Sequence, residues 1–137
     1  MVILDASVIL KWLVDEEGSK EALLFRDRHV RGEERIIVPS LLLYEIANVL
    51  RYREGLPDEE ILNLFEIIKD LELSAVHPSF SEFEEAMLYA RSKSISVYDA
   101  SYIILAKNLG CSLITADRRL VQSVYEPFVI SLNTYGG

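Results

Sequence analysis

Cysteine is nearly absent from this chain. Cys111 stands alone, so no internal disulfide can form, and it reads as a small buried hydrophobe in a strand. Histidine is almost as scarce. His29 and His77 belong to no metal-ligand spacing, which argues against zinc, and they complete no Ser-His-Asp arrangement. Cations are outnumbered: 14 Lys and Arg face 22 Asp and Glu, for a net charge of −8. A protein that coats nucleic acid would carry a basic face instead. No apolar run approaches the roughly 20 residues of a membrane span. No basic segment leads into an apolar stretch and a small-residue cleavage site, so no secretory signal is read. A Gly-rich phosphate loop with its lysine is also missing. Together these absences favour a cytoplasmic protein with no membrane partner.

What remains is an ordinary core-forming composition. The 137 residues are 50% hydrophobic and 26% charged, enough to bury one substantial core and too apolar for extensive disorder. Without repeats, low-complexity tracts or linkers, residues 1–137 read as a single domain. Strand candidates are Val2 to Leu4, Arg35 to Val38, Ser74 to His77, Ser112 to Thr115 and Phe128 to Leu132. They are short, rich in Val, Ile and Leu, and without clean alternation, as expected of strands covered on both faces.

Helical patterns lie between them. Ser7 to Val14 is short and apolar, and Ser19 to Arg31 is amphipathic with Ser19 as the expected N-cap. Pro39 suits the first turn of a long helix that runs to about Glu54 and closes at Gly55. Pro57-Asp58-Glu59-Glu60 opens the next, its acids at the positive end of the macrodipole. Ser81 to Ser92, Tyr98 to Leu109 before Gly110, and Asp117 to Val124 complete the set. Strands alternating with helices predict a parallel sheet in a three-layer α/β/α sandwich. Ligands in such sheets bind beyond the carboxyl ends of strands, where the strand order reverses.

Two acids fall on that edge. Asp5 ends the apolar run from Met1, and Asp117 comes just after Leu113-Ile114-Thr115. Either could instead cap the helix that follows it. Asp99 could complete a capping box with Ser96. Glu45 is harder to explain by local structure, because Leu41, Leu42, Asn48 and Val49 place it on or beside an apolar stripe. Carboxylates beside a core are costly unless hydrogen-bonded or neutralised by a cation. Oxygen donors at this density suit Mg²⁺ or Mn²⁺, and with them phosphodiester chemistry.

With these residues in place the chain resembles the PIN-domain nucleases, and within them the toxin component of VapBC-type toxin–antitoxin pairs. The likeness runs through Ile3-Leu4-Asp5-Ala6-Ser7, Pro39-Ser40 to Tyr44-Glu45, Tyr98-Asp99-Ala100 with Ile103, Leu105 and Ala106, and Gly110 to Asp117. The order and spacing of these pieces span essentially the whole chain. The resemblance implies a five-stranded parallel sheet between helices. It also implies a metal-assisted endoribonuclease with Asp5, Glu45 and Asp99 as its central metal-binding acids and Asp117 as the fourth. Ser7 and Thr115 match hydroxyl positions that support such a site, though ordinary helix-start and strand-end hydrogen bonding explains them too. A cognate antitoxin laid along the first long helices, reaching the acids with a basic side chain, and a homodimer are further implications.

Arg118 and Arg119, next to Asp117, are candidates for holding RNA phosphate; Lys11 and Trp12 are weaker ones, Trp12 reading better as core. Two other readings compete. One is a housekeeping RNA-processing nuclease of the same kind. The other is a phosphoacceptor receiver domain, which Asp5 fits poorly because it has no acidic neighbour, and the strand ending at His77 is followed by no Asp.

Overall fold

The computed structural model describes residues 1–136. Five parallel strands form one sheet in the order β3-β2-β1-β4-β5, with β1 Val2–Leu4, β2 Ile36–Pro39, β3 Ser74–Val76, β4 Ser112–Thr115 and β5 Val129–Ser131. β1 pairs with β2 through Val2 and Ile36, and with β4 through Ile3 and Leu113. Strand alternation then sorts the core into two layers. Val2, Leu4, Ile36, Val38 and Ile114 point to one face, where they meet Val8, Phe25, Leu42, Ile46 and Ile68. Ile3, Ile37, Leu113 and Val129 point to the other, against Tyr102, Ile103, Leu120 and Val124.

The first layer is built by α1 (Ala6–Ile9), α2 (Ser19–Val30), α3 (Leu41–Arg51) and α4 (Asp58–Asp70). The second holds α6 (Val97–Leu109) and α7 (Arg118–Val124), with α5 (Phe80–Lys93) packed on α6 through Ala86, Ala90, Ala100 and Ile104. The expected three-layer α/β/α sandwich with a five-stranded parallel sheet is what forms. From β1 the chain steps to β2 and β3 on one side, and β4 and β5 lie on the other. The topological switch therefore falls between β1 and β4. A receiver-type doubly wound sheet runs 2-1-3-4-5, so this order excludes that reading. Among the described residues no helix is long and apolar enough to cross a membrane.

Several boundaries differ from those expected, each for a local reason. The first helix is a single α turn continued as a 3₁₀ turn over Leu10–Trp12. Gly18, at φ +87°, takes the N-cap position of α2. Ser19 is buried instead, donating to the Val14 carbonyl at 2.8 Å and accepting from the Glu16 N–H at 3.0 Å. Pro39 ends β2 in register with Val76 and does not enter α3, since its fixed φ serves an extended strand end as well as a helix start. That helix stops at Arg51, short of Glu54.

His29 has a structural role. Its Nδ1 accepts the Ile36 N–H at 3.3 Å, so Nε2 carries the proton and donates to the Leu71 carbonyl at 2.8 Å. One ring thus ties the end of α2 to the start of β2 and the end of α4. His29→Ala should lower the urea midpoint by an amount equivalent to about 1–3 kcal/mol, by stranding a donor and an acceptor. An unchanged midpoint would remove the tie from the account.

Candidate active site at the carboxyl edge of the sheet

In a parallel sheet each helix leaves from, or returns toward, the carboxyl edge, so four separate segments bring their acids to that edge. Asp5 directly follows β1 and Asp117 follows β4 by one residue. Glu45 lies in the second turn of α3, which starts just beyond β2, and Asp99 lies in the first turn of α6, which runs down to β4. These are the residues singled out in the sequence. Mutual repulsion links them: Asp5 and Glu45 each feel the Asp99 charge, and Asp99 feels that of Asp117.

Their surroundings differ. Asp5 is 7% exposed. Its Oδ1 caps α1 by accepting the Val8 N–H at 3.3 Å, and it also accepts the Ser7 hydroxyl at 2.5 Å. Burial outweighs those bonds and pushes its carboxyl up to about 6. Glu45 and Asp99 are half-buried, and burial raises both above the usual carboxylate range. Asp117 is exposed and caps α7 by accepting the Arg119 and Leu120 N–H groups at 3.0 and 3.2 Å. Capping and site membership are therefore not alternatives for Asp5 or Asp117, since each carboxylate caps its helix while facing the same edge. At Asp99 the cap comes from Ser96, whose hydroxyl accepts the Asp99 N–H at 3.0 Å.

Ser7 and Thr115 form the bridge between β1 and β4. The Ser7 hydroxyl, donating to Asp5, accepts the Ala116 N–H at 2.9 Å and lies 3.4 Å from Thr115 Oγ1. Thr115, fully buried, accepts the Asp117 N–H at 3.0 Å. The two hydroxyls thus connect Asp5 to the backbone that carries Asp117.

Tyr102 was not singled out in the sequence. It is 2% exposed, yet its hydroxyl donates to Glu45 Oε1 at 2.6 Å. Burial and the neighbouring Glu45 and Asp5 charges hold its phenol far above the usual range. The legible signal was its spacing, one helical turn beyond Asp99, but an aromatic in an apolar helix reads as core.

The cation candidates fare unequally. Lys11 is committed to Glu16 Oε1 at 3.2 Å and to the Glu17 carbonyl at 2.6 Å. Trp12 is core, its indole donating to the Ala22 carbonyl at 2.8 Å. Arg118 and Arg119 are exposed and lie outside every ion pair among the described residues. Arg118 lines a cleft of about 340 Å³ with Ala116, Ser131 and Asn133, a cleft that Lys11, Glu17 and Glu21 also line and that none of the four acids enters.

None of the four acids is neutralised by a Lys, Arg or His among the described residues. As the side chains stand, no three His, Cys, Asp or Glu groups close around one point. The donor chemistry nevertheless fits a hard divalent cation. The groups are all oxygen, share one edge, repel one another, and include a buried carboxylate whose charge is costly without a counter-ion.

Comparison with known proteins bears on the family and the fold. The PIN domain family matches residues 2–125. A ribonuclease VapC3 of Pyrobaculum aerophilum is 33% identical over 128 residues, covering 88% of this chain and 92% of that protein. Two solved structures share the fold. VapC20 of Mycobacterium tuberculosis, described as a sarcin-ricin loop cleaving toxin, has a TM-score of 0.68 at 15% identity, covering 94% of this chain and 97% of that one. VapBC2 from Rickettsia felis, bound to a promoter DNA fragment, has a TM-score of 0.67 at 14% identity, covering 96% and 97%.

Proposed function

Because this chain belongs to the PIN domain family, we propose that it is a divalent-metal-dependent endoribonuclease, a single domain over residues 1–137, acting as the toxin of a toxin–antitoxin pair. The observation that supports the reading is four uncompensated acids brought from four segments to the carboxyl edge of the sheet, linked by their repulsion through Asp99. Asp5, Glu45, Asp99 and Asp117 would hold the ion, with Mg²⁺ the natural choice and Mn²⁺ a substitute. Such an ion lowers the pKa of water and offsets charge on the phosphoryl group and leaving oxygen. The chain's own contribution is placement. Asp5 is locked by its cap and by Ser7, and Thr115 fixes the backbone before Asp117. Arg118 and Arg119, exposed and directly after Asp117, would hold the RNA backbone.

The toxin reading draws on the VapC names of the curated relatives and on surface left uncovered by the fold. Leu24 and Val30 of α2 and Leu43, Tyr44 and Val49 of α3 stay exposed, apolar surface that a partner segment would cover. An antitoxin lying there, a homodimer, and action in the cytoplasm complete the proposal. Purified protein should cut structured RNA with Mg²⁺ or Mn²⁺ and stop with chelator. Cleavage that persists in full chelation would sink the metal mechanism. Growth arrest on expression, relieved by a short neighbouring reading frame, separates a toxin from a housekeeping nuclease.

A further inference from the structure

We propose that Tyr102 is the positioning residue for Glu45, spending its single hydroxyl proton to fix that carboxylate toward the other acids. This rests on the ribonuclease reading above. Glu45 is the one acid of the four that neither caps a helix nor lies in a helix's first turn. It reaches the edge from the second turn of α3 on a side chain with three rotatable bonds, and free rotation would scatter it. The Tyr102 hydroxyl meets Oε1 at 2.6 Å, which leaves Oε2 for a ligand role.

The phenol can do this because it cannot move. Tyr102 is 2% exposed and packs in the layer with Ile103, Leu113 and Leu120. A tyrosine has one proton to donate and a carboxylate can only accept, so the bond to Glu45 has a fixed direction. Tyr102 lies on α6 one turn beyond Asp99, so that helix both presents Asp99 and orients Glu45 on α3. Strand ends, helix caps and the Ser7 and Thr115 hydroxyls hold Asp5 and Asp117, and Tyr102 orients the acid of the remaining helix. Partners that orient a ligand in this way typically change metal affinity by 10–100-fold.

The test is Mn²⁺ affinity, read by electron paramagnetic resonance of the free ion, in the wild type, Tyr102→Phe, Glu45→Ala and the double variant. Tyr102→Phe keeps the ring, so the core loses no carbon. It should weaken Mn²⁺ binding by about tenfold, leave the KM for RNA unchanged, and cost nothing further in the Glu45→Ala background. Unchanged Mn²⁺ affinity in a folded Tyr102→Phe would overturn the assignment, as would an equal loss with Glu45 already removed. Failure of the variant to fold would overturn it too, by making the hydroxyl structural. A wild type that binds no Mn²⁺ would instead defeat the underlying metal reading, a result distinct from all of these.

Discussion

Asp5→Asn should abolish RNA cleavage while making the metal-free protein more stable. Asn keeps the size of the side chain and can still accept the Val8 N–H, so the cap on α1 survives. What disappears is a buried negative charge central to the proposed ion site, and the loss of activity should exceed the 10–100-fold expected for an orienting partner. The stability gain follows from the same burial. Asp5 is raised from 3.8 to about 6, so the folded state holds its proton more tightly than the unfolded chain. Its ionisation therefore costs the fold progressively as pH rises through that window, up to about 3 kcal/mol. Below the window both proteins are uncharged at this position and the difference vanishes. Urea midpoints in chelator should diverge more at about pH 7.5 than at about pH 4.5, with the Asn variant the more stable. Equal midpoints at both would show that the Asp5 charge is compensated within the protein.

Asp117 should separate two roles that one carboxylate fills. Asp117→Asn keeps an oxygen for the Arg119 and Leu120 N–H groups, so α7 remains capped. Its stability should stay within a few tenths of a kcal/mol of the wild type, while cleavage falls by about a hundredfold as the fourth acid loses its charge. Asp117→Ala should show the same loss of activity plus about 1 kcal/mol of destabilisation from the lost cap. Measured side by side, cleavage rates and urea midpoints should dissociate in the first variant and fall together in the second. Full activity in Asp117→Asn would remove this residue from the site and leave it as a cap.

These variants probe a site whose parts were unequally legible. The five strands announced themselves as short aliphatic runs because both sheet faces are covered, and Asp5 and Asp117 were readable as the residues that follow two of them. The strand order was not readable, since it depends on how the helices pack, and without it nothing in the local pattern joins β1 to β4. Ser19 and Pro39 misled for a related reason. Each residue type suits a helix start, but a buried hydroxyl satisfied by the preceding turn and a strand-end pairing with Val76 decided otherwise. Tyr102 was hidden more deeply, because its partner Glu45 lies 57 positions away on another helix and an aromatic ring in an apolar stretch carries no outward sign of a bound hydroxyl. Glu45, the acid least explained by local structure, proves to be the one whose carboxylate is held from elsewhere in the fold.

The central claim is that these acids form one ion site, and Mn²⁺-soaked crystals measure it most directly through anomalous scattering. The account predicts a peak at the carboxyl edge of the sheet, within coordination distance of Asp5, Glu45 and Asp99 with Asp117 beside it, and no such peak in Asp5→Asn. A wild-type edge without anomalous density at saturating Mn²⁺, or a peak that survives that substitution, would contradict it.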